Sequence, residues 1–211
     1  MTNFIPIFPL GVVVYPGEPL NLHIFEPRYK QLIQECIDQK KAFGIPTVIN
    51  TKLQDHGTLV EITEVSKVYD NGEMDIKTRG VRVFRILELI KEIPDKLYGG
   101  AIVNYPDNHD IGKPALMQKV MAGVHDLHRL LKVNKEYVKN DAEMTSYDVA
   151  HHVGLSLQQE YELLALFEEK QRQEYLKRHL AKVIPTVAIM EQLKEKIKLN
   201  GHFKDLPGFN L

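Results

Sequence analysis

Two stretches rich in strand-forming residues, GTLVEITEVSKVY (57–69) and EMDIKTRGVRVFRILELI (73–90), meet at Asp70-Asn71-Gly72. Asn-Gly accepts the positive φ that a tight reversal demands, so this is the strongest hairpin signal in the chain. The first stretch alternates: Thr58, Val60 and Ile62 on one side, Leu59, Glu61 and Thr63 on the other. The return stretch cannot alternate strictly, because Val81, Val83, Ile86 and Leu87 do not fall on one side. An extra residue near Gly80 or Arg85 is therefore expected, as a bulge.

Shorter strand signals surround this hairpin. FIPIFPLGVVVY (4–15) is β-branched and aromatic, and Pro6 and Pro9 suit an edge or irregular strand. YPGEPL (15–20) reads as a turn built on Pro16-Gly17. AFGIPTVI (42–49) and KLYGGAIVNY (96–105) complete the set. Many strands joined by tight turns predict a small barrel. One helix interrupts them: Pro27 suits a first helical position, and Tyr29, Leu32, Ile33, Cys36 and Ile37 follow at helical spacing.

After YPDNHDIGKP (105–114) the texture changes to helical. Leu116, Val120, Val124, Leu127 and Leu131 form one stripe. Thr145 or Ser146 is expected to cap a short helix that Gly154 ends, and Ser156 to cap the next. Pro185 is expected to kink or break the long amphipathic run that follows, and Asn200-Gly201 to stop the last helix. The expected class is α+β, with a β-rich barrel subdomain over 1–110, a helical bundle over 111–200 and an irregular tail over 201–211.

Composition excludes several functions. Net charge is −1 over 211 residues, which gives no general attraction to nucleic acid or anionic membranes. No apolar run is long enough to span a bilayer and no signal peptide is read, so a cytoplasmic location is expected. Cys36 is the only cysteine and reads as buried packing. No glycine-rich phosphate loop precedes Gly112-Lys113, and none of Ser66, Ser146 and Ser156 sits in a nucleophile elbow. A hydrolase would have to use His23, Glu26 and Arg28, or His125 and His128. Neither set offers a nucleophile, a base and an orienting third group, and no metal site or cofactor is expected. Residues 170–204 carry nine Lys or Arg, among them Arg172, Lys194, Lys196 and Lys198, against three Glu. They read as a solubilising face, with docking to an acidic partner or to RNA as the alternative.

LHIFEPRY (22–29) looks like a catalytic cluster but reads better as a seam. Leu22 and Ile24 alternate as a strand, Glu26 sits before the helix, Pro27 begins it, and Arg28 is expected to pair with a carboxylate of the barrel.

These residues carry a family resemblance. FPL (8–10), PG (16–17), IFEPRY (24–29), FGI (43–45), GTLVEITEV (57–65) and TRGVRVFRILE (78–88) come in the order seen in the LON substrate-binding domain. DVAHHVGLSLQQEYELLALFEEKQRQEYLKRHL resembles that family's helical part. The domain occurs at the N-terminus of the ATP-dependent Lon protease, in cereblon and in stand-alone bacterial proteins, and the full IFEPRY form is most similar to the last. The resemblance implies a PUA-like pseudo-barrel followed by a helical bundle, and recognition of unfolded or damaged polypeptides for degradation. It implies no enzyme here, since these residues contain neither the ATPase phosphate loop nor the Ser-Lys dyad of the protease. The expected partners are such polypeptides and a AAA+ protease, with a homodimer left open, no membrane and nucleic acid disfavoured. Tyr15, Pro16, Pro19, Phe25 and Tyr29 are the expected peptide contacts. RNA binding through the basic helices is the alternative.

Overall fold

The computed structural model describes residues 2–202. Of the tail expected over 201–211, residues 203–211 lie outside them and residues 201–202 are helical.

Six strands form one antiparallel sheet: β1 (Thr2–Pro6), β2 (Pro19–Ile24), β3 (Phe43–Ile49), β4 (Lys52–Val68), β5 (Met74–Ile90) and β6 (Gly100–Asn104). The order is β1-β6-β5-β4-β3, and β2 lies on β5. The chain just after β1 returns to β3 through parallel bridges at Ile7–Gly44 and Leu10–Thr47. The Phe8 amide donates to the Gly44 carbonyl at 2.8 Å and the Val48 amide to the Leu10 carbonyl at 2.7 Å. These bonds join the two ends of the sheet, which is why the prolines at 6 and 9 are tolerated: only an irregular seam is asked of that segment.

The long hairpin forms as the sequence predicts, with a different turn. Only Gly72 has a positive φ (77°), the Gly72 amide donates to the Tyr69 carbonyl, and the Tyr69 amide donates to the Glu73 carbonyl. That is a type I turn closed by a glycine bulge. The two-residue reversal of left-handed backbone lies instead between β3 and β4, at Asn50 (φ 48°) and Thr51 (φ 65°), with Ile49 paired to Lys52. Thr51 gives no turn signal, because β-branched residues rarely adopt this conformation.

The β5 bulges fall where alternation fails. Leu59 pairs with Arg82 and Val60 with Gly80, so Val81 is extra; Leu87 is extra opposite β6. Gly80 is obligatory. A Cβ there would lie 2.2 Å from the Tyr15 carbonyl oxygen, while the Gly80 amide donates to the Glu18 carbonyl at 2.9 Å.

Helix α1 (Pro27–Gln39) starts at Pro27 and buries Tyr29, Leu32, Ile33 and Cys36. They pack with Phe43, Ile45, Val60 and Ile76 in the main core; Ile5, Ile7, Leu59, Phe84, Ala101 and Val103 form a second cluster. Burial pushes the Cys36 thiol up to about 12, so it is a packing group rather than a nucleophile at neutral pH.

The helical elements are α2 (Pro114–Leu131), α3 (Ser146–Val149), α4 (Leu157–Leu164) and α5 (Glu169–His202). Thr145 caps α3 reciprocally with Asp148, and Ser156 caps α4 with Gln159. Gly154 has φ 75° between them. Pro185 lies inside α5 and does not break it, and the helix runs through Asn200-Gly201, which was expected to stop it. Proline removes one amide and crowds the preceding turn. Here the Thr186 hydroxyl donates to the Lys182 carbonyl at 3.1 Å, supplying a donor next to the gap.

The chain divides into two compact units, residues 1–110 with 155–168, and residues 111–154 with 169–211. The division is not the contiguous one expected from texture, because α4 packs against β3 and β4. The Tyr15 hydroxyl donates to the Glu160 carbonyl at 3.1 Å, and His56 Nδ1 lies 3.1 Å from the Tyr161 hydroxyl.

Candidate polypeptide-binding site

The five residues expected to contact peptide occupy three places in the first unit. Tyr15, Pro16 and Pro19 belong to one turn. The Glu18 amide donates to the Tyr15 carbonyl at 3.1 Å with Gly17 at φ 83°, a type II turn with proline and glycine in their favoured positions. Tyr15 itself is buried, whereas Pro19 is exposed. Phe25 is 57% exposed and stacks against His23 at 6.1 Å. Tyr29 stacks on Phe8 with ring centroids 3.9 Å apart, and burial pushes its phenol up.

Tyr29 also lines an open cleft of about 340 Å³. Leu53, Leu89, Ile90 and Leu97 supply its apolar walls and Arg28 stands among the lining residues. Leu97 is 66% exposed, so this surface is apolar and accessible. A second cleft of about 470 Å³, lined by Phe4, Ile5, Leu59, Glu35, Tyr98 and Tyr105, shares Tyr98 with the first. Lys96 Nζ holds Glu35 at 2.8 Å, and the Tyr98 hydroxyl donates to the same carboxylate at 2.6 Å. Those two bonds hold the Glu35 carboxyl below its usual range. Sequence reasoning missed Leu89 and Leu97, since a single leucine in a loop or on a strand carries no periodic signal.

The seam residues divide between two separate pairings. Arg28 pairs with Glu26 two residues away, Nη2 to Oε2 at 2.8 Å, and not with a barrel carboxylate as expected. Pro27 fixes the turn between them, which leaves the two side chains free to meet locally. His23 instead turns to β5, with Nδ1 2.7 Å from Asp75 Oδ1 and Nε2 3.4 Å from Glu73 Oε2. The Tyr69 hydroxyl donates to the other Asp75 oxygen at 2.8 Å. The bond to Asp75 raises the His23 pKa, and the bond from His23 lowers that of Asp75.

The LON substrate-binding domain model of ATP-dependent protease La matches residues 5–182 of the chain. The chain belongs to the LON substrate-binding domain family. The crystal structure of a Lon N-terminal domain protein from Xanthomonas campestris superposes with a TM-score of 0.64 at 25% identity, covering 82% of this chain and 96% of that one. The N-terminal domain of a Mycobacterium avium complex Lon protease superposes at 0.61 with 14% identity, covering 85% and 98%, and supports the α+β fold alone. A LON peptidase N-terminal domain and RING finger protein of Schizosaccharomyces pombe is 28% identical over 105 residues, 41% of this chain. The matched region spans only 21% of that curated relative.

The second unit of this LON domain holds a polar cluster that sequence reasoning missed. Arg172 is completely buried and not on a solubilising face. Its Nε donates to Glu169 Oε2 at 2.9 Å and to the Ser146 hydroxyl at 3.1 Å, and its guanidinium lies 4.3 Å from the Tyr147 ring centre. Ser146 donates to Glu169 through its amide (2.8 Å) and hydroxyl (2.5 Å). Ser146 is thus a buried donor rather than a helix cap. His125 and His128, the other set considered for a hydrolase, have separate partners: His125 Nε2 is 2.9 Å from Asp141, and His128 Nε2 is 2.8 Å from the His152 carbonyl. Among the described residues no group of three His, Cys, Asp or Glu is placed to hold a metal ion, and no helix is long and apolar enough to cross a membrane.

Proposed function

We propose that this LON domain is a non-catalytic module that binds unfolded or damaged polypeptides and delivers them to a proteolytic system. The observation that supports it is the open apolar cleft bounded by Tyr29, Leu53, Leu89, Ile90 and Leu97. An unfolded client offers apolar side chains at short intervals, and a cleft of this size takes one or two of them. Arg28 among the lining residues can donate to a client carbonyl. The same client, extended, can also lie along β2, whose only strand partner among the described residues is β5. There Pro19 and Phe25 are exposed beside it. Pro19 supplies no amide, so pairing at that end is weaker than at Asn21 and His23.

The test is a fluorescence titration of the full chain with a labelled, permanently unfolded model protein. Saturable binding that Leu97→Glu weakens strongly, with melting temperature unchanged, is the expected result. Phe25→Ser reports on the β2 surface separately. If no unfolded client binds, the reading is wrong; if Leu97→Glu and Phe25→Ser bind like the parent, binding lies elsewhere.

A further inference from the structure

Helix α5 outruns the helix it packs on. α2 has 18 residues and α5 has 34, about 27 Å against about 51 Å at 1.5 Å per residue. Gly123 of α2 is seated at Leu180, where a Cβ would lie 3.1 Å from Leu180 Cδ1. Near the end of α2, Lys132 reaches Glu195 at 3.6 Å. From Ala181 to Lys198 no residue of α5 is buried.

That half is not a polar helix. Ile189, Met190, Leu193 and Ile197 are each more than half exposed. At 3.6 residues per turn they share one arc of about 100° with Thr186. Lys194 and Lys196 flank the arc on its two sides. Glu195 lies opposite the arc, where it meets Lys132 and Lys198, and Glu191 lies one step beyond Lys194, which it meets. The result is an apolar stripe with basic edges.

We propose that this stripe docks an amphipathic helix of a partner protein, one whose apolar face is edged by Asp or Glu. Lys194 and Lys196 select the charge. A surface lysine held only by an i,i+3 pair, as Lys194 is by Glu191, stays available to a partner carboxylate. A second copy of this chain fits poorly. It would set Lys194 and Lys196 against lysines of its own kind, over only about two heptads, where matched coiled coils place opposite charges. The docking face shares no residue with the client cleft, and either reading can fail without the other.

The test uses the full chain and two synthetic labelled helices with the same leucine stripe, one edged by glutamate and one by lysine. The glutamate-edged peptide should bind at least about tenfold more tightly at low salt, with the difference shrinking as salt rises. Lys194→Glu with Lys196→Glu should reverse the preference. Leu193→Asp should abolish binding of either peptide with the circular dichroism spectrum unchanged; if that variant alters the spectrum, Met190→Gln carries the same expectation in weaker form. Equal affinity for both peptides, or none for either, overturns the proposal. So does a dimeric mass that Leu193→Asp converts to a monomer. Displacement of the peptide by an RNA oligonucleotide or by phosphatidylserine vesicles would also overturn it.

Discussion

Two polar clusters in this protein use nearly the same chemistry and do opposite things. His23, Tyr69, Glu73 and Asp75 sit in the open at the hairpin end of the sheet, held by contacts of His23 and Tyr69 to Asp75 at 2.7 and 2.8 Å and a longer one of His23 to Glu73. Ser146, Glu169, Arg172 and Gln173 are sealed inside the second unit, where Glu169 and Arg172 are each at most 1% exposed. In the first, water stands ready to replace any partner that is removed. In the second, each group depends on the others, because an ion stripped of water and of its partner is strongly unfavourable. Charge clustering along the sequence therefore says little about importance. LHIFEPRY gathers four polar side chains within seven positions and yields an exposed contact. Ser146 and Arg172 are 26 residues apart and form the interior.

The contrast is sharpest under mutation. Arg172→Ala should be the most damaging change, about 3–5 kcal/mol, since it leaves the Glu169 carboxylate buried and unpaired. Urea denaturation measures it, and a loss below that of a surface pair would show that water reaches the cluster. Gly80→Ala drives a methyl group into the Tyr15 carbonyl and should cost about 2–3 kcal/mol by overpacking; thermal melting would show it. Ser156→Ala removes the reciprocal cap of α4 and should cost about 1 kcal/mol. Arg28→Ala breaks an exposed pair and should cost less than about 1 kcal/mol. Its effect on client affinity should exceed its effect on stability if the cleft is the binding site.

The smallest effect is the pH response of the exposed cluster. His23 is raised by Asp75, so its contribution is fully present below the unfolded histidine value and is lost as pH rises through the folded one. Asp75 is lowered by His23, so its contribution is present above the unfolded aspartate value and is lost as pH falls through the folded one. The pair is therefore tightest between those limits, in mildly acidic solution. An NMR titration should place His23 above an ordinary histidine, and Asp75→Asn should bring it down.

The barrel was legible because its signals are local. Pro27 at the first helical position, the run to Asp70-Asn71-Gly72, and the failed alternation around Val81 each declare themselves within a few residues. The Asn50-Thr51 reversal did not, because a threonine in left-handed backbone is dictated by the strands on either side. Arg172 was hidden for another reason. On a helix dense in lysine and arginine, one buried cation has the same periodicity as its exposed neighbours, and only the distant Ser146 distinguishes it. The cleft was half legible: Tyr29 follows from the helix stripe, whereas Leu97 comes from a loop that offers no pattern.

The interleaving of the two units sets an order for synthesis. The chain passes from one unit to the other after Asp110, returns at Leu155 and leaves again after Glu168. A nascent barrel released at residue 110 would lack Tyr161 against His56 and the Glu160 carbonyl for Tyr15. The ribosome must deliver the first part of the helical unit before it delivers the piece that completes the barrel. Helix α5 emerges after that, bringing Glu169 and Arg172 to Ser146 last. Both units thus mature in the same late window, and truncations made at the apparent boundary should trap the barrel unfinished.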